Sequence, residues 1–145
     1  MPIVPATPSD FDAVVALLDA VDLPYDDLTN TSLHHFRVLR RAKALCGVVG
    51  LEPVGSAALL RSLAIQPSKR GQGYGQALVR EAEAYGRAQG IDTLYLLTTT
   101  AASFFAALDY ESIARDSVPP SIAQTDEFNR ICPSTATCMQ KSLIS

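Results

Sequence analysis

The chain has 145 residues, 48% of them hydrophobic, and a formal charge of −3; that is enough for one ordinary core and too little for two, so a single domain over 1–145 is predicted. A negative balance with no Lys/Arg block excludes the basic face that a nucleic-acid binder needs. No stretch approaches the roughly 20 apolar residues of a bilayer span, and Met1-Pro2-Ile3-Val4-Pro5-Ala6-Thr7 lacks the basic and apolar regions of an export signal, which predicts a soluble, cytoplasmic protein without membrane contact. The three cysteines, Cys46, Cys132 and Cys138, read as thiols rather than as a disulfide framework.

In chain order, Ile3-Val4-Pro5-Ala6 predicts a short strand. Thr7-Pro8-Ser9-Asp10 supplies an N-cap, a proline for the first helical position and an acidic first turn. The helix that follows runs to about Asp22, with Phe11, Val14, Val15, Leu17, Leu18 and Val21 on one broad face. Pro24 ends it. Tyr25 to Leu33 is polar and acidic, a short second helix or a loop near a substrate entrance. Three β-like runs follow at His35–Arg40, Leu45–Pro53 and Ser56–Ile65, joined by loops so short that neighbours must be antiparallel. Gln66 to Arg70 is a loop; Gln76–Gln89 predicts a long helix stopped by Gly90. Thr93–Thr99 reads as a strand, Ala101–Leu108 as a short helix, Tyr110–Ala114 as a strand, Pro119–Phe128 as a helical turn or lid, and Thr135–Leu143 as the last strand. The fold class is α+β, a mixed sheet with helices on its faces.

The segment Arg70-Gly71-Gln72-Gly73-Tyr74-Gly75 joins a strand to a long helix. Backbone N–H groups there can converge on an anion at the helix N-terminus, and glycine lets a phosphate approach without meeting a Cβ. No Gly-Lys-Ser/Thr is present, which excludes a Walker loop. Glycines at 71, 73 and 75 do not give the dinucleotide-binding spacing either.

The continuous string from Leu63 to Leu78, LAIQPSKRGQGYGQAL, resembles the acetyl-CoA signature of the GNAT superfamily of N-acetyltransferases, with Arg70, Gly73 and Gly75 in the signature places. The order of elements matches over essentially the whole chain. The resemblance implies the GNAT fold, a mixed, mostly antiparallel sheet of six or seven strands flanked by about four helices. It also implies acetyl-CoA as co-substrate and a small-molecule amine as acceptor, with no metal ion and with homodimers common in the superfamily. The pyrophosphate falls to the backbone of Arg70, Gly71, Gln72, Gly73, Tyr74, Gly75 and Gln76, and the pantetheine arm to the strand end at Leu63, Ala64 and Ile65. A splayed gap between that strand and Thr93–Thr99 would admit the thioester. Lys69 adds a charge to the phosphates or is a solvated loop lysine. The backbone N–H of Ile65 or Leu63 is the implied oxyanion donor.

Side chains depart from the superfamily's pattern at three places. Leu59 and Arg61 stand where many relatives carry a glutamate base, leaving Glu52 on the preceding strand as the nearest base or amine-binding group; otherwise Glu52 is a solvated strand-end charge. Phe105, in Phe104-Phe105-Ala106-Ala107-Leu108-Asp109-Tyr110, takes the place of the tyrosine that protonates the leaving thiolate. Arg61 sits among Leu59, Leu60, Leu63 and Ile65, where a guanidinium is costly unless paired; it binds an anionic part of the substrate or forms an internal ion pair.

Leu59-Leu60-Arg61-Ser62-Leu63-Ala64, Leu96-Leu97-Thr98-Thr99-Thr100, Val118 to Ile122 and Phe128 to Met139 together resemble the arsenic-resistance-associated acetyltransferases, related to amino-acid N-acetyltransferases. This implies an amino-acid or glutamate-like acceptor, including arsenic- or phosphorus-containing analogues; Thr98, Thr99 and Thr100 at the strand end either add hydroxyl contacts or answer β-propensity alone. Cys132 and Cys138, six apart with no third ligand, are weak as a site for thiophilic arsenic. His34 and His35 are adjacent residues rather than a ligand pair. An acyl-CoA-binding sensor without chemistry and a thiol-based arsenical-binding protein are the alternatives.

Overall fold

A computed structural model of the chain describes residues 2–42, 44–126, 128 and 135–144. They divide into two compact units, Met1–Glu52 with Leu60–Tyr85, and Pro53–Leu59 with Gly86–Ser145. Among the described residues the strands number seven, in a mixed sheet.

In the first unit, β1 (Ile3–Pro5) pairs antiparallel with β2 (Phe36–Arg41), which pairs antiparallel with β3 (Ala44–Val54). β4 (Ala57–Ile65) follows β3 in the sheet through the turn at Gly55, where φ is +66°. Phe36 sits opposite Gly50 in register. A Cβ at Gly50 would lie 2.3 Å from that ring, so the strand pair keeps a glycine to seat a fully buried phenyl group.

The first helix begins as the turn Pro8–Asp10, capped by Thr7, whose N–H donates to the Asp10 carboxylate at 2.7 Å. It continues as α1 (Phe11–Ala20). α1 ends earlier than Asp22, because the Leu23 N–H folds back to the Leu18 carbonyl at 2.9 Å and Asp22 adopts φ +60°. Val14, Leu17 and Leu18 of α1 pack with Leu28, Leu33, Phe36, Val38, Val48 and Ala64. Burying side chains of this kind contributes about 1.5–3 kcal/mol each. The polar stretch is an irregular turn followed by the 3-10 helix Asn30–His35, capped reciprocally by Thr29 and Ser32, so β2 starts at Phe36 rather than His35.

α2 (Tyr74–Ala88) starts two residues ahead of the expected Gln76 and buries Leu78, Val79 and Ala82. It ends at Ala88 and is closed by Gly90, whose φ is +80°, with the Ile91 N–H on the Gly86 carbonyl at 2.9 Å.

In the second unit, Ala57–Leu59 of β4 pair in parallel with β5 (Thr93–Thr98), and β5 pairs antiparallel with β7 (Thr137–Ser142). β6 (Glu111–Ile113) pairs with the other edge of β7. The short helices α3 (Ala102–Ala106) and α4 (Pro120–Ala123) complete it. Ala57, Leu59, Tyr95, Val118, Ile122, Phe128 and Cys138 form its core, so the Pro119–Phe128 segment supplies core side chains at Ile122 and Phe128. Residues 129–134, including Cys132, lie outside the described residues. Among the described residues no helix is long and apolar enough to cross a membrane.

Candidate active site

The signature loop leaves β4 at Ile65. The Gln66 N–H donates to the Cys46 carbonyl of β3 at 2.8 Å. Successive backbone groups of a strand face opposite edges. The Ile65 N–H therefore points to the β4 edge away from β3, the orientation an oxyanion donor needs. The 3-10 turn Pro67–Lys69 then redirects the chain, with the Lys69 N–H on the Gln66 carbonyl at 2.8 Å. Gly71 and Gly73 take φ +80° and +82°, a left-handed conformation that suits glycine. A Cβ at either would meet nothing within 4 Å; the glycines answer a backbone conformation and leave open space.

Ala77 is the first residue of α2 whose N–H reaches the fourth residue back, on the Gly73 carbonyl at 3.1 Å. The N–H groups of Tyr74, Gly75 and Gln76 thus precede the first helical bond and carry the positive end of a 15-residue helix. Gly75 lies inside the first turn of α2. Lys69 is half-buried, Arg70, Gln72 and Gln76 are exposed. This cradle fits a diphosphate.

Close packing behind the loop depends on Gly47. A Cβ there would come within 2.9 Å of Ile65 Cδ1 and Leu78 Cδ1, so β3 lacks a side chain where the end of β4 and the first turns of α2 converge.

A second constellation in the same unit centres on Arg61. Its side chain is 2% exposed, and its terminal nitrogens donate to the two Asp27 oxygens at 2.5 and 2.7 Å. Nη1 also reaches Glu52 Oε1 at 3.3 Å, and Nε reaches Ser62 Oγ at 3.2 Å. Ser62, at φ +60° within β4, breaks the strand's regular pleat. Glu52 is the more open of the two carboxylates, its side chain 37% exposed against 8% for Asp27. Arg61 thus has the internal ion pair that its apolar strand requires. Asp27 and Ser62 were not singled out from sequence. The signal for Asp27 was available: a buried guanidinium needs a carboxylate, and the acidic stretch Tyr25 to Leu33 offered one.

In the second unit, the Thr98 hydroxyl accepts the Ala101 N–H at 2.9 Å in the turn before α3, while Thr99 is exposed. Phe105 is buried, edge-on to Phe104 and to Tyr110 with centroids 5.1 and 5.5 Å apart. Cys138 is buried, and burial pushes its thiol up against a smaller opposing effect of Arg115. No group of three or more His, Cys, Asp or Glu placed to hold a metal ion occurs among the described residues.

The chain is 27% identical over 106 residues to an amino-acid acetyltransferase of Ectopseudomonas mendocina, covering 72% of this chain and 24% of the relative. It therefore spans about a quarter of the length of the curated relatives it matches. The N-acetylglutamate synthase of Neisseria gonorrhoeae, solved with coenzyme A and N-acetyl-glutamate, superimposes with a TM-score of 0.85 at 20% identity, over 99% of this chain and 35% of that one. The Mycobacterium tuberculosis protein Rv2747, solved with CoA and NLQ, gives 0.79 at 18% identity over 98% and 99% of the two chains. A family model described as the acetyltransferase (GNAT) domain matches residues 32–112, more than half of the chain, from the 3-10 helix before β2 through the loop and α2 to β6. With that match added to the strand order and the glycine loop, the chain belongs to the GNAT acetyltransferase family.

Proposed function

We propose that this protein is an N-acetyltransferase that moves the acetyl group of acetyl-CoA to the amine of a small amino-acid-like acceptor, the whole chain acting as one domain. The observation that carries this reading is the loop from Arg70 to Gln76. Two left-handed glycines with open space at their Cβ positions lead into a helix whose first N–H groups have no helical partner. Relatives named amino-acid acetyltransferase, and a solved fold neighbour holding coenzyme A and N-acetyl-glutamate, support it.

Bound acetyl-CoA supplies an activated acyl thioester. Arg70 to Gln76 hold its pyrophosphate through backbone N–H groups, with Lys69 adding charge, and the β4 edge away from β3 at Leu63–Ile65 pairs with the pantetheine arm. Phe105 lends apolar surface to the cofactor. The Ile65 N–H donates to the acyl oxygen as negative charge grows there. Glu52 holds the acceptor's ammonium and takes its proton, so that a neutral amine attacks. Phe105 carries no proton, and a thiol of ordinary acidity, with a pKa of about 8.5, is a tolerable leaving group without a dedicated acid. Arg61 receives an anionic group of the acceptor, and Thr98 and Thr99 add hydroxyl contacts. The finer assignment is a glutamate-like acceptor, including phosphorus- or arsenic-bearing analogues, supported by the likeness of the β4, β5 and C-terminal segments to arsenic-resistance-associated acetyltransferases.

Mass spectrometry of incubations with acetyl-CoA and glutamate, its phosphorus and arsenic analogues, and its methyl esters tests this. Acetylated glutamate-type acids, with the esters slower, are expected. Equal rates for acid and ester remove Arg61 from acceptor binding, and no product from any amine leaves the sensor reading, which the absence of a hydroxyl on Phe105 favours.

A further inference from the structure

Three side chains of the first unit share one guanidinium. Arg61, its side chain 2% exposed, gives Nε to Ser62 Oγ at 3.2 Å, both terminal nitrogens to Asp27 at 2.5 and 2.7 Å, and Nη1 to Glu52 Oε1 at 3.3 Å. The two carboxylates meet it differently. Asp27 faces it with both oxygens, in the planar two-pronged geometry that fixes a guanidinium in direction as well as in place. Glu52 meets it with one oxygen, at a longer distance, from a side chain 37% exposed.

Among the described residues no other group bonds the Glu52 carboxylate. Its second oxygen therefore keeps its accepting capacity for a ligand. A glutamate this open turns about three side-chain bonds, and holding it in one pose costs conformational entropy. A bond to a guanidinium that cannot itself turn removes part of that freedom before a ligand arrives. Ser62, next along β4 at φ +60°, accepts the Nε bond, so the stem of the guanidinium is held as well as its fork. Every additional contact of Arg61 or Asp27 only holds that guanidinium more firmly.

We infer that Arg61 is a positioning residue for Glu52: its guanidinium ties one carboxylate oxygen and leaves the other for the acceptor's ammonium. The role of Glu52 rests on the acetyl-transfer reading, while the tie stands on the geometry. In the step concerned, a proton passes from the ammonium nitrogen to the untied oxygen. A neutral amine and a neutral carboxyl result, and the tied oxygen still accepts from Nη1. Base and amine must come within about 2.6–3.2 Å, so an untied Glu52 loses rate with its carboxylate intact.

The test is a cycle of Glu52→Gln and Arg61→Lys, singly and together, with an α-amino acid methyl ester as acceptor. The ester lacks the carboxylate that the acetyl-transfer reading gives to Arg61, and lysine keeps the charge but not the fork that spans two carboxylates. Glu52→Gln is expected to lower kcat about 100-fold and Arg61→Lys about 10-fold, with coenzyme A binding by calorimetry unchanged in both. In the Glu52→Gln background, Arg61→Lys is expected to lower kcat no further, because no base is left to aim. A purely structural Arg61 lowers kcat by the same factor in both backgrounds, and that result overturns the positioning. Asp27→Asn, which loosens the fork and keeps the shape, takes the place of Arg61→Lys if the lysine variant fails to fold. Full activity of Glu52→Gln overturns the role of Glu52 and the positioning with it. Wild type that acetylates no amine overturns the acetyl-transfer reading; the same cycle read by thermal melting, with Glu52→Ala for Glu52→Gln, then decides the tie. A double-variant loss smaller than the sum of the single losses keeps it, and additive losses overturn it.

Discussion

Replacing Gly73 by alanine separates the glycine's part in folding from its part in binding. Its φ of +82° is strained for any residue with a Cβ, and the left-handed conformation costs alanine about 1–2 kcal/mol. A Cβ there meets nothing within 4 Å, so no clash adds to the strain. For a domain of this size the melting temperature should fall by about 2–8 °C. Coenzyme A affinity should fall further, because the methyl group occupies the space the pyrophosphate needs. Losing even one or two charge-assisted N–H contacts, at about 1.5–3 kcal/mol each, corresponds to roughly 10-fold to about 20,000-fold in Kd. Gly90→Ala is the matched control: its φ is +80°, its Cβ position is also open, and it caps the other end of α2. Calorimetric melting and isothermal titration with coenzyme A are run on both variants. Similar melting losses are expected, with the affinity loss confined to Gly73→Ala. An equal change in affinity for both variants would refute the assignment of the loop.

Gly50→Ala should destabilise by about 1–3 kcal/mol in urea unfolding, since its methyl group would stand 2.3 Å from the buried Phe36 ring; Phe36→Leu should relieve part of the loss. Arg61→Met removes the two-pronged partner of the nearly buried Asp27 carboxylate and should cost about 3–5 kcal/mol, most of it recovered by adding Asp27→Leu. Burial, helped by the charges of His34 and Arg37, holds the His35 imidazole below its ordinary value. The unfolded chain then takes up that proton first as pH falls, so stability present above about pH 6.5 declines through acid pH. Because His35 is only part-buried the decline is small, and His35→Gln should flatten it. At the other end, burial raises the Cys138 thiol and the Tyr95 hydroxyl. Their contribution is complete below the ordinary values and is lost as pH rises toward the raised ones, so melting temperatures should fall above about pH 9. Maleimide labelling read by mass spectrometry should spare Cys46 and Cys138 in the native protein and mark both in urea.

Most elements were legible because local rules and burial agreed. The α1 stripe of Val14, Leu17 and Leu18, the short links between β2, β3 and β4, and Gly90 after α2 each carry their signal within a few residues. Boundaries moved where a tertiary contact or a cap decided them. α2 begins at Tyr74, directly after the left-handed Gly71 and Gly73, and α3 begins at Ala102, after a turn in which the Thr98 hydroxyl accepts the Ala101 N–H. The glycine loop between β4 and α2 was readable as a contiguous string. The ionic cluster was only half readable: the cost of Arg61 on an apolar strand was visible, but its partner Asp27 lies 34 positions away on an irregular turn with no periodicity to place it. The conformation of Ser62 left no mark in residue type, since nothing about a serine announces φ +60° inside a strand.

The most direct test of acetyl transfer through the glycine loop follows a carbon-13 label from the acetyl group of acetyl-CoA by NMR, in the presence of an amino-acid acceptor. Wild-type protein should move the label to an amide carbon of the acceptor at many turnovers, and Gly73→Ala should do so far more slowly while Gly90→Ala keeps pace. Label that stays on the thioester, or moves to water alone whichever amine is offered, would contradict the assignment.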